Sequence, residues 1–553
     1  MESSVESWWV LPMTLIPAIS GDHHESIATI ATSFAYLAIF ACLAWAGASL
    51  LYWAHPGGPA WGKYWRSKGP AKPSSSTIPG PRGLPVVGSL GLMSGLAHCS
   101  LADEASRRPG AKRLMALSLG PVRAVVTSHP DVAKEILDSP AFADRPLNHA
   151  AYGLMFHRSI GFAEHGPYWR ALRRIAAGHL FGPRQVEAFA PYRASVGEGL
   201  VAALRGAATG SGGAVVQVRG LLRRASLYYI MRFVFGKEYD VSRAAAAGGE
   251  EVEELLEMVH QGYELLGKEN WCDYFPGLAA IDPQGVGARC AELMPRVNRF
   301  VHGIIQERRR ARAEGIAGGE AARDFVDILL SLQESEGLAD ADIAAVLWEM
   351  IFRGTDAMAV LMEWTLARLV LHRDVQAKAH RELDEVVGRN KPATESAAPS
   401  LPYLQALLKE ALRVHPPGPL LSWRHRAMSD TYVDGHLVPA GTTAMVNQWA
   451  ISRDPEVWDA PLEFQPERFL AGGKGQDVSV LGADGRLVPF GSGRRSCPGK
   501  SLAMATVTAW MATLLHEFEW LPAAGGVDLA EVLRLSCEMA VPLEVRVRPR
   551  RGV

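Results

Sequence analysis

From Ser26 to Trp53 the chain carries no charged side chain, and "IATIATSFAYLAIFACLAWAGASLLYW" is dominated by Ile, Ala, Leu, Phe and Trp. As a helix, Ile27 to Trp53 runs about 40 Å, longer than a hydrocarbon core of ~30 Å, so the pattern predicts a transmembrane anchor over residues 26–53. Acidic residues (Glu2, Glu6, Asp22, Glu25) precede it, whereas a cleaved signal peptide starts basic and has a shorter apolar core. Lys63, Arg66, Lys68 and Lys72 follow, so residues 1–25 are expected on the lumenal side and the rest in the cytosol. Residues 54–85, ending in "KPSSSTIPGPRGLP", read as a basic, Pro-rich linker that stiffens at Pro79-Gly80-Pro81.

Over residues 86–553 the apolar spacing is mostly helical, with few strand signals. "RLMALSLGPVRAVVTS" reads as strand, Gly120-Pro121 turn, strand. "TYVDGHLVPAGTTAMV" carries the hairpin dipeptide Asp434-Gly435, and "VPLEVRVRP" alternates as a closing strand. The longest periodic run, "DIAAVLWEMIFRGTDAMAVLMEWTLARLVLH", sets Ile343, Leu347, Met350, Gly354, Met358, Leu361 and Leu369 near one helix face. Gly/Ala-rich loops are expected at 206–214, 244–249 and 315–322. The fold class is therefore mainly α with small β-sheets, in one body behind a single anchor.

Composition removes whole classes. An apolar fraction of 48% excludes a disordered chain, and 57 basic against 58 acidic residues leave a net charge of −1, so no global field points to nucleic acid. The six cysteines show no C-x-x-C spacing, which argues against a zinc site or a disulfide framework and fits a reducing compartment.

One cysteine is different. In "FGSGRRSCPG", Pro498 suits the first position of a helix, which makes Cys497 its expected N-cap, beside unpaired N–H groups and the positive end of the helix dipole. Such a setting favours a thiolate. Gly493 and Gly499 permit close approach of a flat ligand, Phe490 can shield the sulfur, and Arg495 offers a cation to an anionic group. An iron porphyrin asks for this combination.

Phe490 to Gly499 resembles the haem-binding signature of the cytochrome P450 family, with Cys497 matching the axial ligand of haem b. "LKEALRVHPP" and "PERF" resemble two further family elements, in which Glu410, Arg413 and Arg468 are expected to form a buried ionic network. Trp169 and Arg173, at i and i+4 in "YWRALRR", join Arg495 as expected partners of the haem propionates, and one of Arg424, His425 or Arg426 adds another.

On the oxygen side, the resemblance implies that Gly354 opens a groove in the long helix and that Asp356 feeds protons to bound oxygen. The family pattern carries a threonine where this chain has Ala357. Thr355 points about 100° away and is no substitute. Either a substrate hydroxyl or an extra water replaces the missing group, or electrons leak to peroxide, or the chemistry is not hydroxylation.

"FADRP", "FRGTDAMAVLMEW" and "VDGHLVPAGTTAMVNQWAISRDP" are similar to the plant group containing the KLUH and PLASTOCHRON enzymes. That likeness implies a single-pass protein of the endoplasmic reticulum with a cytosolic catalytic domain and a role in plant organ growth. It also implies NADPH electrons from a cytochrome P450 reductase, docked at Arg170, Arg174, Arg494 and Lys500, with a lipid bilayer as the other partner. The substrate is expected to be an apolar or amphiphilic small molecule, a fatty acid or related growth-signal precursor. His157, Arg158 and Arg353 are its polar anchors, in a pocket built from Ala150–Phe162, Phe352–Met358, the stretch after Pro416 and Ser536–Val541. The alternatives are a haem-thiolate isomerase or dehydratase that needs no reductase, and a haem-binding regulatory protein without turnover.

Overall fold

The computed structural model describes residues 23–67, 77–209, 215–239, 241, 249–314 and 324–550. Lys68 and Lys72 of the basic stretch, and most of the three Gly/Ala-rich loops, lie outside these. The chain divides into an N-terminal unit ending at Leu51 and a body from Tyr52 onward. In the first, the helix His23–Trp53 contains an uncharged stretch, Ser33–Trp53, with mean hydropathy 2.0. Phe34, Leu37, Phe40 and Leu43 are exposed around it, as expected of a helix whose solvent is lipid.

The body is mainly helical with small sheets. Its strands are β1 (Met115–Leu119), β2 (Val122–Thr127), β3 (Val215–Gln217), β4 (His425–Arg426), β5 (Thr431–Val433), β6 (His436–Val438), β7 (Thr443–Val446), β8 (Phe518–Pro522), β9 (Glu531–Leu533), β10 (Cys537–Met539) and β11 (Glu544–Pro549). The four-stranded sheet has the order β1-β2-β7-β4, with β2 parallel to β7. The expected hairpins form as β1–β2 and β5–β6. The second turns through Asp434 and Gly435 at φ 50° and 76°, the left-handed pair that such a two-residue loop demands. β11 is the middle strand of the three-stranded sheet β3-β11-β8.

Residues 54–85 are not simply a tether. Pro59–Ser67 is a helix whose Trp61 is 1% exposed and donates Nε1–H to Leu117 O at 2.9 Å, and Ala116 N donates to Pro79 O at 2.8 Å. Trp61 supplies the apolar area that docks this segment onto β1, a contact the local basic and proline content hides.

The helix Asp340–Leu371 runs through the middle of the main core, buried on all faces between Asp342 and Val370, so its pattern is no one-sided stripe. Helix Val218–Phe235, ended by Gly236 at φ 64° with its N–H on Arg232 O, crosses it closely. The crossing point is Gly354: a Cβ there would lie 2.5 Å from Ile230 Cδ1. On that face the glycine admits a neighbouring side chain; no open groove is left there.

Candidate functional site

The Phe490–Gly499 loop folds back on itself, with Gly491 and Gly493 at φ 66° and 63° and Cys497 N donating to Phe490 O at 2.8 Å. Gly493 meets a different need from the one expected. It does not line the cavity described below, and a Cβ there would sit 2.1 Å from Leu137 O, so it lets the loop press against the helix Pro130–Asp138. Nor is Cys497 a helix N-cap. The helix Lys500–Glu517 is capped by Gly499, whose carbonyl accepts Ala503 N–H at 2.9 Å, so Cys497 stands two residues earlier, in the lead-in turn. Burial pushes its thiol pKa up, while the Gly499 N–H and the charges of Arg353 and Arg173 pull it down.

Cys497 faces a cavity of ≈ 260 Å³ between this loop and the central helix, which contributes Glu349, Met350, Arg353, Gly354, Ala357, Met358 and Leu361. Phe490, Gly499, Arg173 and Arg495 line it as expected. Arg173 Nη1 donates to Ser496 O at 2.9 Å. Arg495 donates to Ala143 O at 2.7 Å and Ala163 O at 2.6 Å, but its buried Nη1 has no partner among the described residues, and burial pushes its pKa down to about 10. A buried guanidinium nitrogen without an acceptor is unfavourable unless an anion arrives. Trp169 does not line the cavity. Its Nε1–H goes to Ile160 O at 2.9 Å and its ring lies under the Arg495 guanidinium, 4.1 Å from centroid to Cζ, so it holds that arginine in place.

The structure separates three neighbours that the sequence left undivided. Arg424 turns to Tyr274 and Glu269, and Arg426 pairs with Asp144, whereas His425 lines the cavity. Its Nδ1–H donates to Phe142 O at 2.8 Å and burial pushes its pKa down to about 3, leaving a neutral ring. Arg145 is a further lining cation, held by the carbonyls of Gly161, Trp423 and Arg424.

Two lining residues carry opposite charges one helical turn apart. Glu349, absent from the expected set, accepts Ile160 N–H at 2.7 Å and Gly161 N–H at 2.8 Å, and burial pushes its pKa up. A lone carboxylate inside "LWEMIFRG" was the available signal. Arg353 lies over the Trp423 ring at 5.6 Å and makes no hydrogen bond or ion pair with any described residue. Of the other two expected anchors, Arg158 pairs with Asp342 at 2.8 Å and His157 stacks on Tyr152; neither reaches the cavity.

Asp356 also faces away from it. The carboxylate accepts Arg223 Nε at 2.8 Å and borders a second cavity, of ≈ 220 Å³, with Thr355 and Glu538, so direct hand-over of a proton from Asp356 into the first cavity is not what this geometry provides. One residue of helix turns a side chain by about 100°, which separates Asp356 from Ala357.

Beneath the site, Glu410, Arg413 and Arg468 meet at 0%, 0% and 7% exposure. Glu410 receives Arg413 Nε and Nη2, both at 2.7 Å, Gln465 N at 2.8 Å and Arg468 Nε at 3.1 Å. Elsewhere, His98, Glu531 and Cys537 bring one donor atom each within 4.8 Å of one another. There Cys537 Sγ lies 3.6 Å from Glu531 Oε2, and burial and that carboxylate both raise its thiol pKa, the reverse of what a thiolate needs. Cys537 does not line the ≈ 260 Å³ cavity.

The family profile described as cytochrome P450 matches residues 78–532. "Cytochrome P450 78A9" of Arabidopsis thaliana is 54% identical over 524 residues, covering 94% of this chain and 95% of the relative. "Cytochrome P450 78A3" of Glycine max is 54% identical, covering 92% and 94%. Among solved structures, a zebra fish cytochrome P450 with progesterone superposes with a TM-score of 0.68 at 26% identity, covering 82% of this chain and 99% of that one.

Proposed function

The chain belongs to the cytochrome P450 family and is a haem-thiolate monooxygenase, and from that premise we propose that Cys497 supplies the thiolate, with the haem between the Phe490–Gly499 loop and the central helix. The observation that carries this reading is that Cys497 shares one cavity with Gly354 and Ala357. The residues fit an iron porphyrin on three counts: a sulfur facing the cavity, a wall of Phe490, Met358 and Leu361, and cations at Arg173, Arg495 and Arg145 with an unsatisfied donor on Arg495. Arg173 and Arg495 are the residues to hold the propionates.

When bound, the haem supplies the activation of dioxygen for insertion of one oxygen atom into a C–H bond. The protein's own residues shape what enters. The apolar lining favours an apolar or amphiphilic small molecule, and Arg353, lacking a protein anion at bonding distance, is its polar anchor. Exposed Arg170, Arg174 and Arg494, with Lys500, form a basic face near the thiolate loop for a flavoprotein reductase that delivers NADPH electrons. The apolar helix anchors the body to the endoplasmic reticulum membrane, catalytic side to the cytosol, in the service of plant organ growth.

Cys497→Ala tests the ligand. The variant is expected to lose the red-shifted absorbance of the reduced carbon monoxide complex, and persistence of that band refutes the assignment. Cys537→Ala is expected to keep it.

A further inference from the structure

The pairing of Ala357 with an outward-turned Asp356 leaves a gap in proton supply. The cavity that takes up dioxygen has no hydroxyl on its helix wall at position 357, and the nearby acid opens onto a different cavity. Ser536 is the residue common to both linings. It is 5% exposed and stands just before β10, whose position is fixed by Cys537 N–H on Pro417 O at 2.8 Å and by Trp364 Nε1–H of the central helix on Cys537 O at 3.2 Å.

On the far side the supply is built. Arg223 bridges Asp356, at 2.5 Å, and Glu538, at 2.6 Å, tying the central helix to β10, and the second cavity adds His260 and Arg534. Tyr263 lines that cavity too, together with Ser536, and its buried hydroxyl has no hydrogen-bond partner among the described residues. An orphaned hydroxyl beside a polar cavity is where an ordered water settles.

We propose that Ser536, with a water shared with Tyr263, is the proton relay joining the Arg223–Asp356–Glu538 cluster to the reaction cavity, in place of the hydroxyl missing at 357. Each turnover consumes one dioxygen, two electrons from the reductase and two protons, and yields one C–OH and one water. Ser536 accepts each proton on its oxygen from the second-cavity water and releases its own into the first cavity, ending unchanged. This rests on haem occupying the Cys497 cavity.

The test uses the full-length holoenzyme in reductase-containing membranes, with dodecanoate as probe, following NADPH oxidised and peroxide released. Ser536→Ala is expected to raise peroxide per NADPH several-fold, with Ser536→Thr close to wild type and Ala357→Thr restoring a low peroxide fraction in the Ser536→Ala background. A merely structural serine would not be rescued by a hydroxyl placed on another element. An unchanged peroxide fraction in Ser536→Ala, or a rise that Ala357→Thr does not reverse, overturns the relay. So does a crystal structure of the holoprotein without water bonded to both Ser536 Oγ and Tyr263 Oη. If Ser536→Ala does not fold, Tyr263→Phe is read in its place, with the same expected rise and the same refutation. The reduced carbon monoxide band is recorded for every variant, so loss of the haem site is told apart from loss of the relay.

Discussion

Glu410→Ala is the sharpest perturbation of the fold that carries this site. The carboxylate is fully buried and takes four hydrogen bonds, two of them from Arg413, and Arg413 also spans to the carbonyls of Ser452 at 2.5 Å, Pro461 at 2.8 Å and Glu463 at 3.0 Å. Truncation leaves two buried guanidinium groups without their counter-charge, a loss of about 3–5 kcal/mol. Unfolding entropy of about 2.1 cal/mol/K per residue gives ~1 kcal/mol/K for a body of this size, so the midpoint should fall by about 3–5 °C. Because membrane-bound haem proteins unfold irreversibly, the assay is loss of the reduced carbon monoxide band with temperature at one fixed scan rate. Glu410→Ala/Arg413→Leu, which removes the charge and its partner together, should be less destabilised than the sum of the two single changes. A Glu410→Ala midpoint within about 1 °C of wild type, or strict additivity in the double variant, refutes the argument from uncompensated burial.

Arg353→Gln should weaken dodecanoate binding by about tenfold, the value of one charged hydrogen bond, while dodecanol binding is unchanged; equal losses for both ligands in a spectral titration would reject Arg353 as the anion anchor. Gly354→Ala forces a methyl against Ile230 Cδ1, 2.5 Å away, and should cost about 1–3 kcal/mol by thermal melting, recovered when Ile230→Ala is added; absence of recovery would put the strain elsewhere. His415 has its pKa pushed down to about 4 by burial and accepts Arg368 Nε at 2.8 Å, so it folds neutral. Its folded value lies below its unfolded one, so its contribution is complete above about pH 6.5 and is lost as pH falls toward 4, about 1 kcal/mol by pH 5.5. His415→Gln should flatten the acid side of the melting profile between pH 7 and 5.5, and an identical slope in the variant would contradict this.

Much of the architecture was legible because it rests on local chemistry. Asp434-Gly435 dictates a left-handed turn whatever surrounds it, and the uncharged run before Trp53 forms a helix long and apolar enough to cross a membrane. The Glu410–Arg413 spacing was readable for the same reason, being one turn of a single helix. What escaped depends on which neighbour arrives. Trp169 was read as a haem contact because i and i+4 share a face, yet Ile160 O takes its donor first. Gly493 was read as room for a ligand, and Leu137 O occupies that room, whereas Gly354 does border the cavity and also makes way for Ile230. Pro498 looked like a helix start, but the chain spends one more turn before its first helical bond. Glu349 was passed over because nothing in one dimension shows that the amides of Ile160 and Gly161 will meet it.

The central helix explains how one element serves two tasks. Arg353, Gly354 and Ala357 face the cavity shared with Cys497, while Thr355 and Asp356 face the other, and the division follows from the angle between successive residues. A second carboxylate on the first side, beside Glu349, would add negative charge to a mostly apolar space next to Cys497, raising the cost of every anion there. On the second side it is neutralised by Arg223, already bound to Glu538 of β10. The acid is thus held close without entering the substrate's space, and a side chain that carries a proton between the sides has to border both. Among the described residues the one that lines both cavities is Ser536, in the turn before β10.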